Sequence, residues 1–187
     1  MNIEAVRSRF SSLQGGFAYF DAPGGTQVPD EVGEAIAMAL REASGNLGAP
    51  YATGRAVEAI LERAKDDAAR FLGCSADEVS FGMNMTTLDF ALSRTAARDF
   101  AEGDEIVTTQ LDHDGGVAPW VELAADKGLV VHVADARDDL TVDYHDLERR
   151  LSDRTRVVAF ALASNATGSV ADARRICKLA HEAGAIC

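Results

Sequence analysis

Lysine is nearly missing from this chain of 187 residues, with only Lys65, Lys127 and Lys178 present. Basic residues as a whole number 18 against 30 acidic ones, a formal net charge of −12. Nucleic acid and anionic membrane surfaces both reward a basic patch, so neither is expected as a partner. Cysteine is also scarce. Cys74, Cys177 and Cys187 are widely separated, with no C-x-x-C pair and no histidine at ligand spacing, which argues against a zinc site and a disulfide framework. No apolar run approaches the ~18 residues of a membrane helix. The opening stretch Met1–Phe20 carries Glu4, Arg7 and Arg9 and lacks an apolar core segment, so it is no signal peptide. The length suits one domain or one and a half, and a cytoplasmic protein with no membrane partner is expected.

What is present alternates. A first helix is predicted over Ile3–Leu13 and a short strand over Phe17–Phe20, followed by the glycine- and proline-rich run Asp21–Pro29. Pro29 and Asp30 open a helix to about Ala43, with Val32, Ile36 and Leu40 on one face. Ser44–Gly54 reads as a linker, and a second helix, Ala56–Phe71, ends at Gly73 as a C′ glycine, leaving Cys74 as a small buried residue. Strands are predicted at Glu105–Thr109, Val130–Val133 and Val157–Ala161, and helices at Pro119–Lys127, Tyr144–Leu151 and Ala171–Ala183. This alternation implies βαβ units, a mainly parallel sheet with helices on both faces, and hence an α/β fold.

Three stretches stand at strand ends. Val79–Phe81 reads as a strand that turns at Gly82 into a helix, with Asn84, Thr86 and Thr87 in the turn. Such residues cap helices, and a capped N-terminus also presents free N–H groups to an anion. After Glu105–Thr109 comes Gln110-Leu111-Asp112-His113-Asp114-Gly115-Gly116, where packing gives no reason for an imidazole. After the third sheet strand comes Ala163-Ser164-Asn165-Ala166-Thr167-Gly168. Ligands of parallel α/β sheets bind along this carboxyl rim. A flat ring at His113 suits stacking on a planar ligand. The alternative, a metal set in Asp112-His113-Asp114, is disfavoured because adjacent residues point apart. His132 reads as a core or edge histidine, and His145 and His181 as helix-surface residues. A Ser169–His113 hydrolase lacks the G-x-S-x-G elbow.

These stretches resemble the class V aminotransferase and cysteine desulfurase family of pyridoxal 5'-phosphate enzymes of fold type I. The matching residues are Phe81-Gly82-Met83-Asn84-Met85-Thr86, Leu111–Trp120 and Ala163–Gly168, in order, with Gly116 standing where the pattern has Asn. The resemblance runs from about Ala18 to the last residue and covers the N-terminal half of such an enzyme. It implies a cofactor site of Asn84, Met85, Thr86, His113 and Asn165. Thr86 and the Met85 backbone would hold the phosphate, His113 would stack on the ring, and Asn165 would hydrogen-bond its phenolic oxygen. Gly24 and Gly25, in an entry segment resembling Y-F-D-x-x-G-G-T-Q-x-P, would lie near an amino-acid substrate. The implied organisation is residues 1–54 as the entry part and residues 55–187 as a partial cofactor domain.

The family's Schiff-base lysine and its pyridine-binding Asp fall beyond Cys187, so no catalytic residue is expected in these residues and this portion alone should be inactive. A truncated product, a split gene or a partial record would each account for such a chain. The family pattern also implies a homodimer. The competing reading is a non-catalytic remnant or interaction module that pairs with another subunit.

Overall fold

Glu105–Thr109 (β1) forms the middle of a three-stranded parallel sheet, flanked by Val130–Ala134 (β2) on one side and Thr155–Val158 (β3) on the other. All of β1 is buried, as expected for a β-branched run in a parallel sheet covered on both faces. Its one charged member, Glu105, is held by Ser152 Oγ and Arg154 Nη2, which donate to its carboxylate at 2.5 and 2.8 Å. The computed structural model describes residues 1–187, which divide into two units, Met1–Phe81 and Gly82–Cys187.

In the second unit the strand side chains alternate between two cores. Ile106 and Val157 pack with Ala97, Trp120, Leu123, Ala124 and Leu129, which belong to or follow helices Met85–Ala96 (α4) and Asp114–Lys127 (α5). Val107 and Val158 point the other way, into Val142, Leu147, Ile176 and Ala180, and so meet helices Tyr144–Arg150 (α6) and Ala173–Glu182 (α7). Period-2 alternation in the strands thus sends α4 and α5 to one face and α6 and α7 to the other. Full burial of each such aliphatic side chain contributes about 1.5–3 kcal/mol. After α7 the chain reverses at Gly184, whose φ of +78° suits glycine. Ile186 then bridges Val157 in parallel.

The first unit is helical: Ile3–Arg7 (α1), a 3-10 turn at Ser11–Gly15, Asp30–Glu42 (α2) and Ala52–Leu72 (α3). The predicted Ile3–Leu13 helix breaks after Arg7, where the Ser8 hydroxyl donates back to Ala5 O at 3.0 Å. Beyond the break, Ser11 is tied to α2 through Asp30 Oδ1. The apolar face of α2 is present, but Val32, Ile36 and Leu40 are exposed. Helix α3 starts four residues before the predicted Ala56 and takes in Gly54, which packs so tightly on Ala49 that a Cβ would come 2.5 Å from its carbonyl oxygen. Its end at Gly73, with φ +73°, is as predicted, but Cys74 beyond it is exposed rather than buried.

Two predicted strands do not form. Phe17–Phe20 and Val79–Phe81 have no ladder partner. Val79 is extended, but extension becomes a strand only when another chain segment satisfies its N–H and C=O groups. The third strand is predicted two residues late, since pairing with β1 begins at Thr155.

Candidate functional site

Helix α4 begins at Met85, so that of the three turn residues read from the sequence only Asn84 stays outside the helix, as its cap, while Thr86 and Thr87 fall in its first turn. Asn84 is extended, and its side chain accepts the Thr87 N–H at 2.8 Å while its carbonyl accepts the Leu88 N–H at 3.1 Å. Met85 and Thr86 occupy the first two helical positions, whose N–H groups have no intrahelical acceptor. Neither donates to any other protein group. Two free donors thus sit at the positive end of a 12-residue helix.

The loop after β1 supplies the second part. Helix α5 starts at Asp114, five residues before the predicted Pro119. The cause is His113, which caps the helix by accepting the Gly115 N–H on Nδ1 at 2.9 Å. The bond is made through the Nδ1 lone pair, which leaves Nε2 facing away from the cap. Gly115 is buried, and a Cβ there would stand 2.5 Å from Thr86 Oγ1 and 3.0 Å from His113 Nδ1. Absence of a side chain at Gly115 therefore lets the Thr86 hydroxyl and the His113 ring meet one stretch of backbone. Gly116 has no atom within 4 Å of a would-be Cβ and imposes no such constraint.

Asp112 has a role the sequence did not disclose. One carboxylate oxygen accepts the Thr109 N–H at 2.8 Å and the other accepts the Ala161 N–H at 2.5 Å. It joins the loops leaving β1 and β3. Burial pushes its pKa up, opposed by those N–H groups. The partner at Ala161 lies 49 residues away, so no local pattern signals it.

Asn165 lies in the loop after β3, in a turn closed by the Gly168 N–H donating to Ser164 O at 2.9 Å. It is exposed, and its side chain makes no hydrogen bond within the protein. Because β1 and β3 are adjacent and parallel, the loops carrying His113 and Asn165 leave the sheet at the same end. The first leads to α5 on one face and the second to α7 on the other, which makes this end of β1 and β3 a topological switch point, the place where such sheets bind ligands. Asn84, Met85, Thr86, His113 and Asn165 all belong to the second unit. Gly24 and Gly25 belong to the first, in a turn where both N–H groups donate to Asp21 O.

Two of the three lysines are engaged by protein groups. Lys127 Nζ donates to the carbonyls of Ala97 and Arg98 at the last turn of α5, about 20 Å along that helix from His113. Lys178 pairs with Glu182 at 3.8 Å, and Lys65 is half-buried within α3 of the first unit.

Comparison with known proteins agrees with this architecture. The family profile described as aminotransferase class V matches residues 18–187. The chain is 34% identical over 200 residues to a probable cysteine desulfurase 2 of Mycobacterium leprae, covering 100% of this chain and 47% of the relative. It is 31% identical over 193 residues to a cysteine desulfurase of Synechococcus elongatus, covering 98% of this chain and 31% of that one. The apo structure of a cysteine desulfurase from Thermococcus onnurineus NA1 superposes with a TM-score of 0.89 at 26% identity, covering 98% of this chain and 46% of that chain. The chain therefore spans half or less of the length of these relatives, in keeping with its resemblance to half of such an enzyme. With a profile match across most of its residues and relatives of this kind, the chain belongs to the class V aminotransferase family, which includes the cysteine desulfurases.

Proposed function

We propose that these residues are the cofactor cup of a pyridoxal-phosphate enzyme of the cysteine desulfurase or class V aminotransferase type, acting on an amino acid. The observation that carries this reading is the close approach of Thr86 and His113 to the bare backbone of Gly115, beside two N–H groups without acceptors. A phosphate needs such donors, and a planar ring needs a flat neighbour, so the residues present fit the group.

Met85 and Thr86 hold the phosphate through their N–H groups and the Thr86 hydroxyl. His113 covers the ring, and its capping bond to Gly115 fixes the ring's orientation. Asn165, whose amide is free of other partners, hydrogen-bonds the phenolic oxygen. Asp112 keeps the loops of His113 and Asn165 at a constant separation. When bound, the cofactor supplies an electron sink for bonds at the amino acid's α-carbon. Gly24 and Gly25, within the residues 1–54 entry part, keep the substrate role that the family pattern gives them. Turnover requires a lysine amine and a carboxylate for the ring nitrogen, and the engagement of Lys127 and Lys178 by other protein groups supports binding without turnover by residues 1–187 alone. The family pattern supports a cytoplasmic homodimer.

A second reading, a non-catalytic module that pairs with another subunit, draws on the exposed Met83, Met85, Leu88 and Leu92 on and before α4. Apolar surface of this kind seeks protein contact. Titration with pyridoxal phosphate, followed by quenching of the lone Trp120, separates the two. The cofactor reading expects saturable binding, competition by inorganic phosphate and a loss of ~10–100-fold in Thr86→Val, the equivalent of one charge-assisted hydrogen bond. Binding that does not saturate, or that ignores both Thr86→Val and His113→Ala, would leave only the second reading.

A further inference from the structure

We propose that Cys177 and Cys187 form a dithiol that closes to an intramolecular disulfide by exchange with a small-molecule disulfide and reopens in excess thiol. Their sulfurs stand 3.1 Å apart. The bond requires them to approach by about 1 Å more, to ~2.05 Å.

The backbone between them is packed. Ile176, Ala180 and Ala185 are buried, and the Ala185 N–H donates to Ala180 O at 2.9 Å. On the far side Ile186 is pinned to β3, donating to Arg156 O and accepting from Val158 N–H, both at 2.9 Å. The two sulfurs are thus held together by the ending of α7 and the start of the next sheet segment, not by a mobile loop. Cys177 is half-buried and Cys187 exposed, so a small reagent has access, while the third thiol, Cys74, lies in the other unit.

Partial desolvation, then the neighbouring sulfur, push the Cys187 thiol up to about 12, so in the order proposed here Cys177 attacks first. The Cys177 thiolate attacks one sulfur of oxidised glutathione. The glutathione S–S bond breaks, and one glutathione thiolate leaves. Cys187 loses its proton to solvent base and attacks the Cys177 sulfur of the mixed disulfide, expelling the second glutathione thiolate. With Cys177 capped, its charge no longer opposes ionisation of Cys187. Two cysteine thiols are oxidised, one glutathione disulfide is reduced to two thiolates, and the two protons that the cysteines release to solvent base are taken up by those thiolates to give two thiols.

The experiment treats the full chain, as wild type and as Cys74→Ser, with graded ratios of oxidised to reduced glutathione, quenches with acid and maps tryptic peptides by mass spectrometry. Cleavage after Arg175 and Lys178 puts the two cysteines on separate peptides. Linkage of the Ile176–Lys178 peptide to the one beginning at Leu179, in both proteins and lost again in excess reduced glutathione, is the expected result. Cys177→Ser should abolish the linkage and leave Cys187 free or capped by glutathione. Oxidised chains in which Cys177 and Cys187 remain free, carry separate glutathione caps or link to Cys74 or to a second chain would overturn the proposal.

Discussion

Replacing Gly115 by alanine tests the cup at its narrowest point. The new methyl carbon would lie 2.5 Å from Thr86 Oγ1 and 3.0 Å from His113 Nδ1, where ordinary contacts need about 3.5–4.0 Å. The Thr86 hydroxyl must retreat by about 1 Å, and sliding α4 as a body is resisted by Ser93 and Ala97, both fully buried. Relief falls on the two side chains. An off-rotamer Thr86 costs ~0.5–1.5 kcal/mol and loss of the His113 cap ~0.5–2 kcal/mol. Removing a helical glycine returns up to ~1 kcal/mol. The net expectation is a destabilisation of about 1–2 kcal/mol together with at least a roughly tenfold loss of cofactor affinity. Gly116→Ala is the matched control. With nothing within 4 Å of its Cβ, it should stabilise by ~0.5–1 kcal/mol and leave affinity unchanged. Urea midpoints and cofactor titrations on the pair decide. A Gly115→Ala chain as stable and as tight-binding as Gly116→Ala would refute the steric argument.

Further outcomes follow from other parts of the structure. Addition of pyridoxal phosphate and borohydride should leave Lys65, Lys127 and Lys178 without stoichiometric label; one of them labelled with concurrent sulfur release or transamination would show a rebuilt site. Asp146 accepts the Asp135 N–H and is paired with Arg150 and Arg149, which lowers its pKa from 3.8 to about 2. A depressed folded value means stability present above ~3.8 and lost as the pH falls toward ~2, about 1–2 kcal/mol in all. Acid titration of urea midpoints should therefore flatten in Asp146→Asn between those limits. Asp112→Asn leaves one acceptor for two N–H groups, so amide exchange at Thr109 or Ala161 should quicken; equal protection in both proteins would deny the clamp. Leu147→Ala, at a site with no exposure, should cost ~2–5 kcal/mol in chemical denaturation.

Most of the second unit could be read from residue order. Glu105–Thr109 stood out because a β-branched run lies between Gly103-Asp104 and Gln110, and the structure has the same limits. The start of α5 did not. Proline is favoured at a first helical position, but here His113 caps the chain earlier and Pro119 falls inside the helix. Val79–Phe81 has strand composition but pairs with no other segment, and composition does not report pairing. At the candidate site, strand-end position drew attention to the loops of His113 and Asn165, and the family pattern supplied the roles proposed for them. Asp112 and Gly115 act through residues distant in sequence, Ala161 and Thr86, so their parts emerge only in three dimensions.

The sheet order also bears on how the chain can assemble while it is being made. β1 is the first strand to be synthesised and the middle one in space. Synthesis delivers the N-terminal elements first, so β1 and α5, which bring Ile106 together with Trp120 and Leu123, are both available before β2 exists. β2 then meets one open edge, and β3 later meets the other. No strand has to wedge between two that are already paired. The same order concentrates kinetic risk in one place: a change that delays β1 leaves two later strands without a template, whereas a change in β2 or β3 leaves the other pair free to form.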